Sequence, residues 1–157
     1  MFLKIGDVKG ESKDTKHKNE IDLISWNWGM SNPGSMHTGG GGGAGKVNVS
    51  DISLTKAIDK ASPVLMALCC DGKVHPKAEI VMRKASGKNA LEYYKLLLED
   101  VLITSVSAGG SGGDTSSENV TLNFAKFKVE YQAQKNDGSP DGGVVSSGWN
   151  IEENKAH

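Results

Sequence analysis

The stretch Gly40–Lys46, inside "MHTGGGGGAGKVNVSD" (36–51), has the G-x-x-x-x-G-K spacing of a loop that cradles phosphates. In such a loop the backbone N–H groups at a helix start face the phosphates. The lysine reaches them, and a following Ser or Thr hydroxyl sits on Mg²⁺. Here that last position is Val47. The segment in front, "SNPGSMHT" (31–38), is turn chemistry rather than a buried strand. The segment behind, "KVNVSDISL" (46–54), alternates like a strand instead of opening a helix. Five consecutive glycines also produce this spacing easily. The surroundings therefore argue against a bound nucleotide, and the glycine loop needs another purpose.

Other residues with chemical capacity are equally unassembled. His17, His37, His75 and His157 lack a metal-type spacing such as H-x-x-x-H, and each is expected as a solvated loop residue. Cys69 and Cys70 are adjacent, so no long disulfide loop is possible. They fall near the C-terminal end of a predicted helix among apolar neighbours, which suits inert packing better than a reactive thiolate. Asp51, Glu99 and Asp100 supply carboxylates without forming a distinguishable acid/base pair. The mixed-sign segment "KGESKDTKHKNE" (9–20) reads as an exposed loop. No catalytic, metal-binding or cofactor-binding residue is expected, and the protein is not read as an enzyme.

Short alternating runs lie between turn clusters. In "IDLISWNW" (21–28), Ile24, Trp26 and Trp28 fall on one face and Ile21 and Leu23 on the other. In "KVNVSDISLTK" (46–56), Val47 and Val49 alternate, then Ile52 and Leu54 resume one residue out of phase, as a β-bulge would produce. "VTLNFAKFKVEY" (120–131) slips in the same way between Phe124 and Phe127. "AEIVMRK" (78–84), "VVSSGWNI" (144–151) and "FLKI" (2–5) are further strands. Many short strands between turns predict an antiparallel sandwich or barrel.

One helix is punctuated clearly. In "ASPVLMALCCDG" (61–72), Ser62 can cap, Pro63 suits the first helical position and Gly72 can end it. Val64–Cys70 is apolar all round, which predicts burial in the core or at a subunit contact. "ALEYYKLLLEDVL" (90–102) fits both periods. Leu91, Tyr94, Leu98 and Leu102 have helical spacing, and periodicity with propensity leans to helix.

The chain has 157 residues, room for one domain with a real core. Its 18 Lys and Arg against 19 Asp and Glu leave no cationic surplus for gripping nucleic acid. No stretch approaches the roughly 20 apolar residues of a membrane helix. The opening "MFLKIGDVKGES" breaks its apolar run at Lys4 and Asp7, so no secretory signal is expected there, and the two cysteines fit a reducing cytosol. Glycine is the outlier, with 20 residues against four prolines, clustered at 38–45, 108–114 and 136–143.

Taken in order, five stretches resemble one family. They are "FLKIGDVKGES" with "KHKNEIDLISWNWG", "SMHTGGGGGAGKVNVSDISLTKAID" (35–59), "SPVLMALCCDGK" (62–73), "LEYYKLLLEDVLITSVSAGGSGG" (91–113) and "ENVTLNFAKFKVEYQAQKNDGS" (118–139). Together they are similar to the haemolysin-coregulated proteins (Hcp), the tube subunits of bacterial type VI secretion systems. The resemblance runs essentially end to end and implies a single domain over residues 1–157. It implies a small β-barrel or sandwich of two packed antiparallel sheets with one short α-helix at about 62–71, a fold shared with phage tail tube proteins. It makes 91–106 a long strand, against the helical periodicity.

The resemblance further implies homohexameric rings that stack into a hollow tube. A contractile sheath drives that tube outward behind a spike protein, and effectors travel with it. The subunit would assemble in the bacterial cytoplasm and leave without a signal peptide; no nucleic acid, membrane or cofactor is implied. Projecting segments received by a neighbour give Gly39, Gly40, Gly41, Gly42, Gly43 and Gly45 a role as an assembly loop. The family supplies no catalytic residue, and nothing carries over to Cys69 or Cys70. The charged tail "IEENKAH" is expected to be exposed. The rival from another class is a small nucleotide- or ligand-binding module using the glycine loop at 39–46.

Overall fold

The computed structural model describes residues 1–34, 45–84, 90–113 and 116–157. In chain order its elements are β1 (Phe2–Ile5), β2 (Ile21–Asp22), β3 (Ser25–Asn27), β4 (Met30–Ser31), β5 (Asn48–Val49), β6 (Ile52–Ala57), α1 (Ser62–Asp71), β7 (Val74–Lys84), β8 (Leu91–Gly109), β9 (Ser117–Asn123), β10 (Lys126–Gln134), β11 (Pro140–Asn150) and β12 (Lys155–Ala156). All pairings are antiparallel. One path runs β12-β11-β10-β8-β7-β1-β2, a second runs from β8 through β9 and β6 to β3, and β4 pairs with β5.

Strand β8 organises the whole. Along one edge it pairs with β7, from Val74↔Leu102 to Lys84↔Leu91. Along the other edge it pairs first with β10, through Tyr94–Glu99, and then with β9, from Leu102 to Gly109. The change of partner falls at Asp100, whose φ of 55° is left-handed. Opposite it, β9 and β10 are interrupted at Phe124 and Ala125, with Ala125 N–H donating to Glu99 O at 3.0 Å. Burial slips phase on both strands at this point: Leu96 and Leu98 give way to Val101 and Ile103, and Leu122 and Phe124 give way to Phe127. A paired slip keeps apolar side chains facing inward while the sheet turns over itself. The result is two layers packed as a sandwich, with β8 common to both; the sheets do not close into the barrel that was the other form expected.

The helical reading of 90–102 is overturned, and the strand implied by the family resemblance is the one present. The Asp100 slip explains the false signal. It moves the buried residues from even to odd positions, and that break imitates helical spacing over one turn. Pairing on both edges then overrides the helix propensity of Leu, Glu and Lys.

The bulge read at 46–56 has a direct counterpart. Between the pairs Asn27↔Ser53 and Met30↔Val49 lie Trp28 and Gly29 on one strand, but Ser50, Asp51 and Ile52 on the other. Ser50 N–H donates to Gly29 O at 3.0 Å, and Trp28 Nε1 donates to Ser50 O at 3.0 Å, fixing the extra residue. At 21–28 the face assignment needs correction. Ile21 and Leu23 are buried, Ile24 is exposed, and Trp26 and Trp28 pack on the core after a turn of phase between β2 and β3.

The segment 9–20 is the mostly exposed loop its charges suggested, and it is pinned to the fold at a few buried residues. Gly10 N–H donates to Asn19 O at 2.8 Å, and a Cβ on Gly10 would lie 2.4 Å from Glu20 O, so only glycine permits this approach. Arg83 donates to the Asp14 carboxylate and also lies over the Phe2 ring. His17 is buried, stacked on Phe2 at 4.2 Å, with Nδ1 at 2.7 Å from Glu20 and Nε2 at 3.3 Å from Glu92. Two of the four histidines, His17 and His75, are therefore core residues rather than solvated ones. The tail behaves as expected: β12 pairs with β11 and its side chains are exposed.

Candidate assembly surfaces

Helix α1 is held by its first turn and by one plug. Lys56 on β6 donates to Glu118 on β9 at 2.7 Å, to Asp59 at 2.8 Å, to the Ala57 carbonyl at 2.8 Å and to Ser62 Oγ at 3.2 Å. Ser62 Oγ donates to the same Glu118 oxygen at 2.7 Å. Ser62 was expected to cap the helix. Ala61 is the N-cap residue instead, without a side-chain cap, because the Ser62 hydroxyl is engaged in this buried network. Asp59 serves the helix entry by accepting from Ala61 N–H at 2.9 Å. Pro63 stands in the first turn and Gly72 closes the helix at φ 66°, both as the sequence indicated.

Only Ser62 and Leu65 of α1 are buried, while Leu68 and Cys69 are partly covered. The opposite arc is open. Val64 is 45% exposed and Met66 40%, and Ala67 and Cys70 are exposed beside them. Ile58 before the helix and Val74 after it extend the apolar surface. The expectation of burial all round thus fails for one copy, and of the two options read from sequence the core is excluded. An exposed apolar face of this kind is a candidate contact site. Cys70 also departs from the packed-thiol reading; both cysteines are free.

A second open region is the β10–β11 hairpin. Its pairing with β8 ends at Tyr131↔Tyr94, while its pairing with β11 runs on to Gln134↔Pro140. Val144 is 56% exposed and Val145 71%, with Tyr131 across from Val145.

Of the glycines assigned to the assembly loop, Gly45 is among the described residues; Gly39, Gly40, Gly41, Gly42 and Gly43 lie outside them. Gly45 rests on Pro33, its N–H donating to Pro33 O at 3.4 Å, and a Cβ there would meet Pro33 Cγ at 2.8 Å. The pair β4–β5 forms the base from which the loop departs. Lys46 leads into β5, so no helix start faces an anion at this point.

The carboxylates considered for acid/base work have other tasks. Asp51 accepts from Thr104 Oγ1 and Asn123 Nδ2, both at 2.7 Å, tying β6, β8 and β9 together. Lys126 lies 3.5 Å from Glu99 and 3.9 Å from Asp100. Among the described residues no three His, Cys, Asp or Glu side chains converge as a metal site requires. No helix among them is long and apolar enough to cross a membrane.

The two open regions are exposed apolar surfaces of one copy, and the chain as a whole is similar to known proteins. Residues 2–131 match the family model described as type VI secretion system effector, Hcp. The chain is 61% identical over 155 residues to protein hcp1 of Pseudomonas aeruginosa, covering 98% of this chain and 96% of that one. It is 30% identical over 98 residues to the major exported protein of the same organism, 57% of each chain. Its fold is similar to the crystal structure of Hcp1 from Salmonella typhimurium, with TM-score 0.83 and 40% identity over 99% of this chain and 97% of that one. With its two-layered fold, the one short helix among its described residues and its end-to-end similarity, the chain belongs to the Hcp family of type VI secretion proteins.

Proposed function

We propose that this protein is the structural subunit of a type VI inner tube. Copies join into rings of six, the rings stack, and the bore carries effectors outward. The subunit assembles in the bacterial cytoplasm and is itself exported, alongside a spike protein and within a contractile sheath. The observation that carries this reading is the open apolar arc of α1, Val64, Met66, Ala67 and Cys70, on a helix whose other side is anchored by a buried ion network. Membership of the Hcp family supports the secretion context, and the name of the major exported protein supports export. No enzymatic activity is proposed.

The test is assembly of the purified chain. Met66→Glu places a charge on the open arc without touching Leu65. The expected result is a folded protein that no longer forms rings. A variant that assembles as well as wild type would remove α1 from the contact.

A further inference from the structure

We infer that the trough between the β1 end, α1 and the start of β7 binds a small amphipathic carboxylate. The acid meets a lysine rim, and the apolar body lies along the floor. The first chamber has a volume of about 490 Å³, within the roughly 300–1,000 Å³ of small-molecule sites. Val8, Val64, Leu68 and Pro76 give it apolar walls. It shares Gly6, Asp7 and Pro76 with a second depression of about 450 Å³, where Ala78, Leu97 and Leu98 continue the apolar lining. Two chambers with a common wall suit an elongated ligand better than a compact one. Every residue involved belongs to one copy, so the site goes beyond the assembly proposed above and does not depend on it.

The rim sets the sign of the head group. Lys9, Lys60 and Lys73 line the first chamber, and among the described residues none of them is in an ion pair. Against them stands one lining carboxylate, Asp7, with Asp71 nearby accepting from Lys73 N–H at 2.8 Å. Lys60 also borders a polar depression with Lys13, Lys18 and Glu11, which extends the cationic surface. The local balance therefore favours an anion. An exposed ion pair is weak by itself, so the lysines orient the ligand and burial of its apolar body holds it.

A buried histidine completes the wall. His75 lines the first chamber and is 6% exposed. Gly6, at φ 48°, lets the β1 end close over its ring, since a Cβ there would lie 2.7 Å from Nδ1. The other ring nitrogen, Nε2, is buried without a hydrogen-bond partner. Apolar walls with one unused polar atom are a feature of small-molecule sites rather than of a satisfied core. Burial, followed by Lys73, keeps the ring neutral at pH 7, so the positive charge of the site comes from the lysines.

The test is calorimetric titration of the full-length chain at pH 7 with decanoate, kept below the concentration at which it forms micelles. Val64 belongs to both the trough and the open arc of α1, so Met66→Glu is titrated beside wild type. Saturable binding of one decanoate per chain is expected in both. Decanol, which lacks the charge, and acetate, which lacks the body, should each bind at least about tenfold more weakly. Lys60→Glu with Lys73→Glu, checked for folding by circular dichroism, should lose decanoate about tenfold and gain decylamine, its cationic counterpart. No saturation, equal binding of decanoate and decanol, or unchanged decanoate binding in the reversed variant would overturn the site. A leucine-terminated peptide that binds more tightly than decanoate would overturn the small-molecule reading in favour of a protein C-terminus. Failure here leaves the ring untouched, because ring formation is read separately.

Discussion

Lys56 Nζ lies 2.7 Å from Glu118 Oε1, with the lysine side chain 1% exposed and the glutamate 0%. Glu118 Oε2 is buried without a hydrogen-bond partner, so the pair is held by the lysine, Ser62 and geometry rather than by full solvation. Removing one partner strands a buried charge. Lys56→Met should lower unfolding stability by about 3–5 kcal/mol, whereas Lys56→Met with Glu118→Leu should recover much of that loss. Urea unfolding of the three proteins checks this. A double variant no better than the single one would mean that the network matters for orienting α1 and not only for charge balance.

The two sides of α1 should separate folding from assembly. Leu65 is 0% exposed, and Leu65→Ala should cost about 2–5 kcal/mol of stability. Met66→Glu should change stability by no more than about 0.5 kcal/mol, as surface substitutions do. Thermal melts run beside size-exclusion chromatography distinguish them: the first shifts the melt, the second shifts the particle size.

His75 gives the fold an acid sensitivity of its own. Burial, followed by Lys73, holds its pKa below the ordinary 6.5, and its Nε2 is buried without a partner. The folded chain thus keeps His75 neutral where the unfolded chain is already protonating. Its contribution is whole above pH 6.5 and is lost as pH falls through the folded-state value. Urea midpoints should fall between pH 7 and pH 5, and the fall should be shallower in His75→Gln. Parallel profiles would clear His75.

Much of this was legible in the sequence, because alternation and turn punctuation are local signals. The slip at Val49–Ile52 marked a real extra residue, and Pro63 and Gly72 marked the ends of α1. What failed was set by partners far along the chain. Leu91–Leu102 read as helix because the Asp100 kink and two flanking strands cannot be seen locally; the jump from Leu98 to Val101 was the available clue. His17 read as solvated because its acceptor Glu92 is remote in sequence. The open face of α1 was half legible: its apolar composition was plain, but which side Leu65 anchors depends on the fold.

The glycine loop should matter to assembly and hardly to folding. Loop closure entropy changes slowly with length, and β5 and β6 keep their own pairings. Deleting Gly40–Gly43 should leave far-UV circular dichroism nearly unchanged and weaken ring closure or stacking, and Gly41→Val with Gly42→Val should do similar harm at constant length. Wild-type assembly and export of the shortened chain would reduce the loop to a spacer.

Copies of this chain are proposed to build a closed ring. Sedimentation of the purified full-length protein at micromolar concentration, with negative-stain images of the same sample, tests it most directly. The expected particle has six times the 16.6 kDa chain mass and images as a ring with an open centre. A single 16.6 kDa species with no rings would contradict it.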